Sequence, residues 1–272
     1  MNGFAHPDTT ATWDALYYSD PLALRFYDAA IKAVVDELRP QPGDRVLDAG
    51  CGAGVHAIRA ARAGCEVDAI DFSRAALDDA AARARRAGVD AQIRFSFGDL
   101  TRLDIPDASY RRIFSWGVLI HIPEIEKALD ELVRILAGGG RLALYVSNAA
   151  ALQPRAMRTL RSLTGRSSSL ERLPMGYGTR VQFHGESIWV WYNDIDAMVR
   201  YLRERGLTLV SRRPGEFSDV HLRFTGGVRR GFLRWNNMWF ERGLPARHAQ
   251  MNLLVFEKTP TSGRPGAPSA AS

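Results

Sequence analysis

The chain has 272 residues, 46% of them hydrophobic and 24% charged, with a formal charge of +6. That is enough for one large α/β domain or two small ones of ordinary globular composition. No apolar run approaches the ~20 residues of a membrane span, and the opening MNGFAHPDTT lacks a basic-then-apolar leader pattern, so a cytoplasmic protein without a membrane partner is expected. Two cysteines, Cys51 and Cys65, and six scattered histidines give neither a disulfide framework nor a metal-ligand spacing, so no metal is expected. The basic residues are spread along the chain, which solubility explains as well as a nucleic-acid partner does.

The first residues to about Thr12 and the tail TPTSGRPGAPSAAS from Thr259 have no periodicity and read as disordered. Between them, PLALRFYDAAIKAVVDEL sets Leu24, Tyr27, Ile31, Val34 and Leu38 at helical spacing, and Pro40 and Pro42 follow it. RVLDA reads as a first strand, VHAIRAARAG as a helix closed by Gly64, and EVDAI as a second strand. The next helix, SRAALDDAAARARRAG, has Ser73 as its N-cap and Gly88 as its stop. QIRFSF and RIFSW are the third and fourth strands. PEIEKALDELVRILAGGG is a helix with proline in its first turn, and RLALYVS is a fifth strand. A long irregular segment follows, then DIDAMVRYLRERG as helix and LTLVSRR as strand, and GGVRRGFLRWNNMWFERG as helix before the strand QMNLLVFEK. Strands alternating with helices predict a mostly parallel sheet covered on both faces, with ligands at the carboxyl ends of its strands.

The stretch VLDAGCGAG ends the first strand with Asp48 and then Gly50, Gly52 and Gly54. A dinucleotide fingerprint needs its third glycine in the spacing G-x-G-x-x-G, and that place is Val55. The pattern present is D-x-G-x-G-x-G, whose acid suits a ligand with an ammonium group better than a pyrophosphate. It resembles motif I of the class I S-adenosylmethionine-dependent methyltransferases. Asp71 in AIDFS, Asp99 in SFGDL and the run ALDELVRILAGGGRLAL extend the resemblance over roughly residues 43–147.

The resemblance implies a Rossmann-like, seven-stranded, mostly parallel sheet with helices on both faces and a cap inserted after strand 5. The divisions are an N-terminal helical lid at 1–42, a cofactor-binding core at 43–148, the cap at 149–192, a C-terminal completion of the sheet at 193–258 and the tail at 259–272. It implies S-adenosylmethionine as cofactor, with the glycine turn against the methionine portion where a Cβ would collide. Asp71, acceptor-only when ionised, suits the two ribose hydroxyls and Asp99 suits the adenine amino group. Phe72 and Leu100 would supply apolar faces, and Tyr17, Asp48 and Trp116 complete the expected cofactor set. His121 in GVLIHIPE follows the fourth strand at the cofactor's edge. It is a candidate general base titrating near neutrality, or a loop histidine that packs under the site. Tyr18 is a second catalytic candidate, in a segment that either closes over the cofactor or staples to the core.

Within the cap, from Arg155 to Arg180, the six arginines Arg155, Arg158, Arg161, Arg166, Arg172 and Arg180 stand against one acid, Glu171, and read as a solvated face or an anion site. His184, Trp189, Trp191 and Tyr192 give an aromatic wall, from which His184, Trp191 and Tyr192 are the expected substrate contacts. The place of the nucleic-acid amino-methylating motif reads SWGVLIHI, without Pro-Pro, so nucleic acid is not the expected partner. The expectation is methyl transfer to a small acceptor, anionic or aromatic and hydrophobic, most simply on oxygen of a specialised metabolite. Transfer to carbon or nitrogen, or a non-catalytic binding subunit, is the alternative.

Overall fold

The computed structural model describes residues 17–163, 170–183 and 186–260. The ends expected to be disordered, apart from Thr259 and Pro260, lie outside these residues, as does His184.

Helix α1 (Pro21–Leu38) starts where Asp20 accepts from Leu22 N at 2.8 Å and stops at Arg39, whose φ is +52°. Then come β1 (Arg45–Ala49), α2 (Val55–Arg62), β2 (Glu66–Asp71), α3 (Arg74–Ala87) and β3 (Ile93–Phe97). Ser73 caps α3 by accepting from Ala76 N, and Gly88 ends it in the left-handed region, as their residue types predict. After β4 (Tyr110–Trp116), helix α4 (Ile125–Ile135) buries Ile125, Ala128, Leu129, Leu132 and Val133, the stripe of a 3.6-residue period.

Helix α4 was expected to reach Gly140, and it stops at Ile135. Lys258, from the last strand, donates to the carbonyls of Val133 (2.7 Å) and Leu136 (2.6 Å), satisfying acceptors that the helix end leaves open. Leu136 pairs with Tyr110 instead, and the chain passes through a bulge, with Gly139 at φ +70°, within β5 (Leu136–Ser147).

The segment after β5 is not irregular. It holds α5 (Leu152–Leu163) and an antiparallel sheet of β6 (Glu171–Leu173), β7 (Gly176–Phe183) and β8 (Glu186–Asn193), in register from Gly176↔Asn193 to Phe183↔Glu186. SIWVWY carries the β-branched and aromatic residues of a strand. The chain then adds α6 (Ile195–Glu204), β9 (Leu207–Pro214), α7 (Gly226–Glu241) and β10 (Met251–Lys258).

The main sheet has seven strands in the order β3-β2-β1-β4-β5-β10-β9. Its neighbours are parallel except β10, which runs antiparallel to β5 and β9. Alternation along the strands divides the interior into two cores. Ala143 and Tyr145 of β5 face α1, α2 and α7, whereas Leu142, Leu144 and Val146 face α4 and α6. Strand order reverses between β1 and β4, and in sheets of this kind ligands bind beyond the carboxyl ends of the strands at that point. Because β10 is antiparallel to both its neighbours, β9 ends on that same edge.

Candidate functional site

The glycine turn closes immediately after β1. Gly50 N and Cys51 N both donate to Ile70 O, at 2.8 and 2.9 Å, and Gly54 N donates to Cys51 O at 2.9 Å. All three glycines have positive φ, +88° at Gly50, +51° at Gly52 and +74° at Gly54. They are needed for different reasons. A Cβ at Gly50 would stand 2.5 Å from both methyls of Val118, and one at Gly54 would stand 2.8 Å from the Ala80 Cβ. A Cβ at Gly52 would meet nothing within 4 Å and would project into open space. Gly50 and Gly54 therefore have a packing reason within the protein to be glycine, whereas Gly52 faces open space.

The three acids differ as well. Asp71, 8% exposed, accepts from Gly52 N (2.8 Å) and Ser73 N (2.9 Å), and so ties the glycine turn to the start of α3. Burial raises its pKa against the backbone N–H groups of Ser73, Gly52 and Phe72 that favour the ionised form. Asp48, 1% exposed, is sealed beneath the turn. Burial, and then the charge of Asp71, push its carboxyl well above the usual range, and its Oδ2 has no hydrogen-bond partner. Asp99 accepts from Thr101 N and Thr101 Oγ1, at 2.9 and 2.8 Å, which shapes its own loop. Phe72 is half-buried and Leu100 buried, on the loops after β2 and β3. Open space at Gly52 beside the Asp71 carboxylate fits a ligand with hydroxyl donors, and the orphaned Asp48 oxygen lies behind it.

An aromatic row runs from this turn across the sheet edge. The His56 ring, at the start of α2, lies 5.2 Å from Trp116 at the end of β4. Trp116 stacks on Tyr145 of β5, at 3.7 Å and 4°. Tyr145 Oη accepts from Glu216 N at 3.0 Å. Tyr27 packs edge-on to Trp116, and Tyr18 lies against Tyr27 and shares a 3.2 Å hydrogen bond between its hydroxyl and His56 Nε2. Burial, and then Arg59, hold the His56 pKa well below its ordinary value. Trp116, expected against the cofactor, thus has one ring face covered by Tyr145. Tyr17 is half-buried 6.5 Å from Tyr18, and burial followed by the charge of Glu216 raises its phenol pKa.

Glu216 is absent from the sequence-based set. It is 9% exposed and sits just beyond the carboxyl end of β9, and its carboxyl has no hydrogen-bond partner among the described residues. Burial, and then Asp219, push its pKa up to about 8. An acid just beyond a strand end, as Asp99 is beyond β3, was present in SRRPGE.

The remaining candidates meet at the junction of cap and core. His121 Nδ1–H donates to Trp189 O at 2.9 Å, and Trp191 Nε1–H donates to Ile122 O at 2.7 Å, so β8 is latched to the turn after β4. Burial lowers the His121 pKa to about 4, with the Trp189 carbonyl opposing it, so the ring is neutral at pH 7 and the midpoint expected near neutrality is not its own. Trp191, expected to contact substrate, is 1% exposed and packs among Leu47, Ile122 and Met198; it is core and presents no surface to a pocket. Tyr192 is half-buried opposite Tyr177. The described arginines do not converge. Arg158 donates to Ala149 O and lies over Tyr177, Arg180 lies over Trp189, and Arg155 and Arg172 are exposed.

Comparison with known proteins gives a consistent picture. A family model described as a methyltransferase domain matches residues 46–140. The chain is 40% identical to the 27-O-demethylrifamycin SV methyltransferase of Amycolatopsis mediterranei over 103 residues, 38% of each chain. It is 33% identical to the demethylmenaquinone methyltransferase of Renibacterium salmoninarum over 206 residues, 72% of this chain and 81% of that one. The alignment thus spans less than half of the first relative and most of the second. Among solved structures, the geranyl diphosphate C-methyltransferase of Streptomyces coelicolor A3(2) superposes with a TM-score of 0.59 at 18% identity, over 87% of this chain and 81% of that one. At that identity the likeness is one of fold.

Proposed function

The chain belongs to the class I S-adenosylmethionine-dependent methyltransferase family, and on that premise we propose that it methylates a hydroxyl oxygen of a small aromatic or hydrophobic acceptor. When bound, the cofactor supplies a methyl group on a sulfonium, which a nucleophile takes in an in-line displacement. The protein's part is placement and the handling of one proton. Gly52 leaves the space for the methionine portion, Asp71 suits the ribose hydroxyls, and Asp99, Phe72 and Leu100 suit the adenine.

The observation that carries the acceptor class is the half-buried pair Tyr18 and Trp116 beside the glycine turn, backed by the buried rings of Tyr27 and Tyr145. Such a wall suits a flat or apolar acceptor, fixed by a few polar tips. The described cap arginines are spread over separate partners, which speaks against an anion as the determinant of binding. Relatives named as methyltransferases of a rifamycin and a demethylmenaquinone support a small acceptor. Oxygen is favoured because a buried acid, Glu216, stands at the end of the row where a hydroxyl proton could go.

The test is incubation with S-adenosylmethionine carrying a 13C methyl and a pool of phenols and alcohols, followed by NMR of the products. A methyl carbon bonded to oxygen is expected. Label found on carbon or nitrogen alone would overturn O-methylation, and label found only in added RNA or protein would overturn the small-molecule reading.

A further inference from the structure

We infer that Glu216 is the base that takes the acceptor's hydroxyl proton, its carboxyl closing the far end of the aromatic row that begins at the glycine turn. The assignment rests on the hydroxyl-acceptor reading above.

Four observations carry it. Glu216 follows β9 at the end of the sheet where β1, β2 and β4 also end, the end that carries Gly52 and Asp71. An unbroken chain of contacts joins it to that site: His56 to Trp116 at 5.2 Å, Trp116 on Tyr145 at 3.7 Å, and Tyr145 Oη to Glu216 N at 3.0 Å. Its backbone is fixed on both sides, since Met251 N donates to its carbonyl at 3.0 Å. The residue is nine-tenths buried and no described residue hydrogen-bonds its carboxyl, although buried acids are ordinarily paired or hydrogen-bonded. An acid held rigidly in an apolar, aromatic site without a partner is poised for a ligand that brings a donor.

The charge environment agrees. Tyr17 from the segment before α1, Tyr27 from α1, Tyr145 from β5 and Asp219 from the loop after β9 are the titratable groups facing it, and the entry to β10 adds the uncharged Gln250 and Met251. No cation among the described residues offsets this burial, and the carboxyl therefore gives up its proton only at about 8. That range matches the task of receiving a proton from a phenol near physiological pH. His121 is the poorer base, because its pKa is about 4 and its Nδ1–H is engaged with the cap. In the step, the acceptor's O–H bond breaks and its proton goes to a Glu216 oxygen. The oxygen's electron pair forms the new C–O bond, the C–S pair stays on sulfur, and the carboxyl later releases its proton to solvent.

The experiment compares the full chain with Glu216→Gln, both bound to S-adenosylhomocysteine, whose affinity by calorimetry should agree within about threefold and so report an intact cofactor site. In protein labelled with [5-13C]glutamate, the resonance lost in Glu216→Gln should titrate in the wild type with a midpoint near 8. With 4-nitrophenol as probe, wild-type affinity should fall about tenfold or more between about pH 7 and 9, as two anions come to face each other, and Glu216→Gln should stay nearly flat. A midpoint in the ordinary carboxylate range, no 4-nitrophenol binding, or identical pH dependence in both proteins would overturn the assignment. These readouts need no turnover. If they succeed while products carry the methyl only on carbon or nitrogen, the O-methylation reading fails and the acidic acceptor wall stands.

Discussion

Replacing Gly50 and Gly52 separately by alanine separates a glycine that the fold requires from one that the ligand requires. At Gly50 the backbone stands at φ +88°, where an L-residue is strained by about 1–2 kcal/mol. The new methyl would also be forced to within 2.5 Å of both methyls of Val118, an overpacking worth about 1–3 kcal/mol. Gly50→Ala should therefore destabilise the fold by about 2–5 kcal/mol, or very roughly 2–4 °C in Tm per kcal/mol. At Gly52 φ is +51°, close to the left-handed minimum, and the methyl meets no protein atom within 4 Å. Its stability cost should stay near about 1–2 kcal/mol. Its effect should instead fall on the ligand, because the methyl occupies the space assigned to S-adenosylmethionine. A loss of about 1–3 kcal/mol corresponds to about 5- to 150-fold in affinity. Urea denaturation and calorimetry with S-adenosylhomocysteine read the two quantities independently. Adding Val118→Ala to Gly50→Ala should recover about 1–2 kcal/mol, whereas the same addition to Gly52→Ala should recover nothing. If Gly52→Ala binds S-adenosylhomocysteine as the wild type does, the open space is not the cofactor's and the reasoning fails.

Trp191→Phe keeps most of the buried ring but strands the Ile122 carbonyl, and should cost about 1–3 kcal/mol with faster hydrogen exchange in β8 and unchanged cofactor affinity; weakened cofactor binding would return Trp191 to the site. Asp71→Asn should weaken S-adenosylhomocysteine binding by about 1–3 kcal/mol and also lower stability, since one of the two acceptor oxygens serving Gly52 N and Ser73 N becomes a donor; calorimetry showing full affinity would move the ribose contact elsewhere. The raised pKa of Glu216 gives stability a sign with pH. From the ordinary 4.5 up to about 8 the folded state keeps a proton that the unfolded state has released, so stability falls as pH rises through that window and levels off above it. The drop attributable to Glu216 is at most about 5 kcal/mol by linkage, and Glu216→Gln should remove that part. Urea midpoints of the two proteins at about pH 5 and 8 that differ by the same amount would contradict it.

The sequence by itself determined what depends on neighbours along the chain. Ser73 and Gly88 bound α3, and Asp20 with Pro21 starts α1, because caps act within one turn. Strands β1 to β4 were legible from short apolar runs punctuated by glycine, and Asp48, Asp71 and Asp99 were legible as candidates because each stands at or within two residues of the end of its own strand. Only the tertiary structure decided which distant residues meet. Val118 makes Gly50 obligatory because β1 and β4 are sheet neighbours, and Lys258 ends α4 because β10 returns beside β5. Trp191 is a latch rather than a substrate wall because β8 docks on the turn after β4, a pairing that no local period encodes. Glu216 joins the aromatic row for the same reason. Its place was set when antiparallel β10 brought the end of β9 to the edge where β1 and β4 also end, and burial there gave an ordinary glutamate its proton affinity.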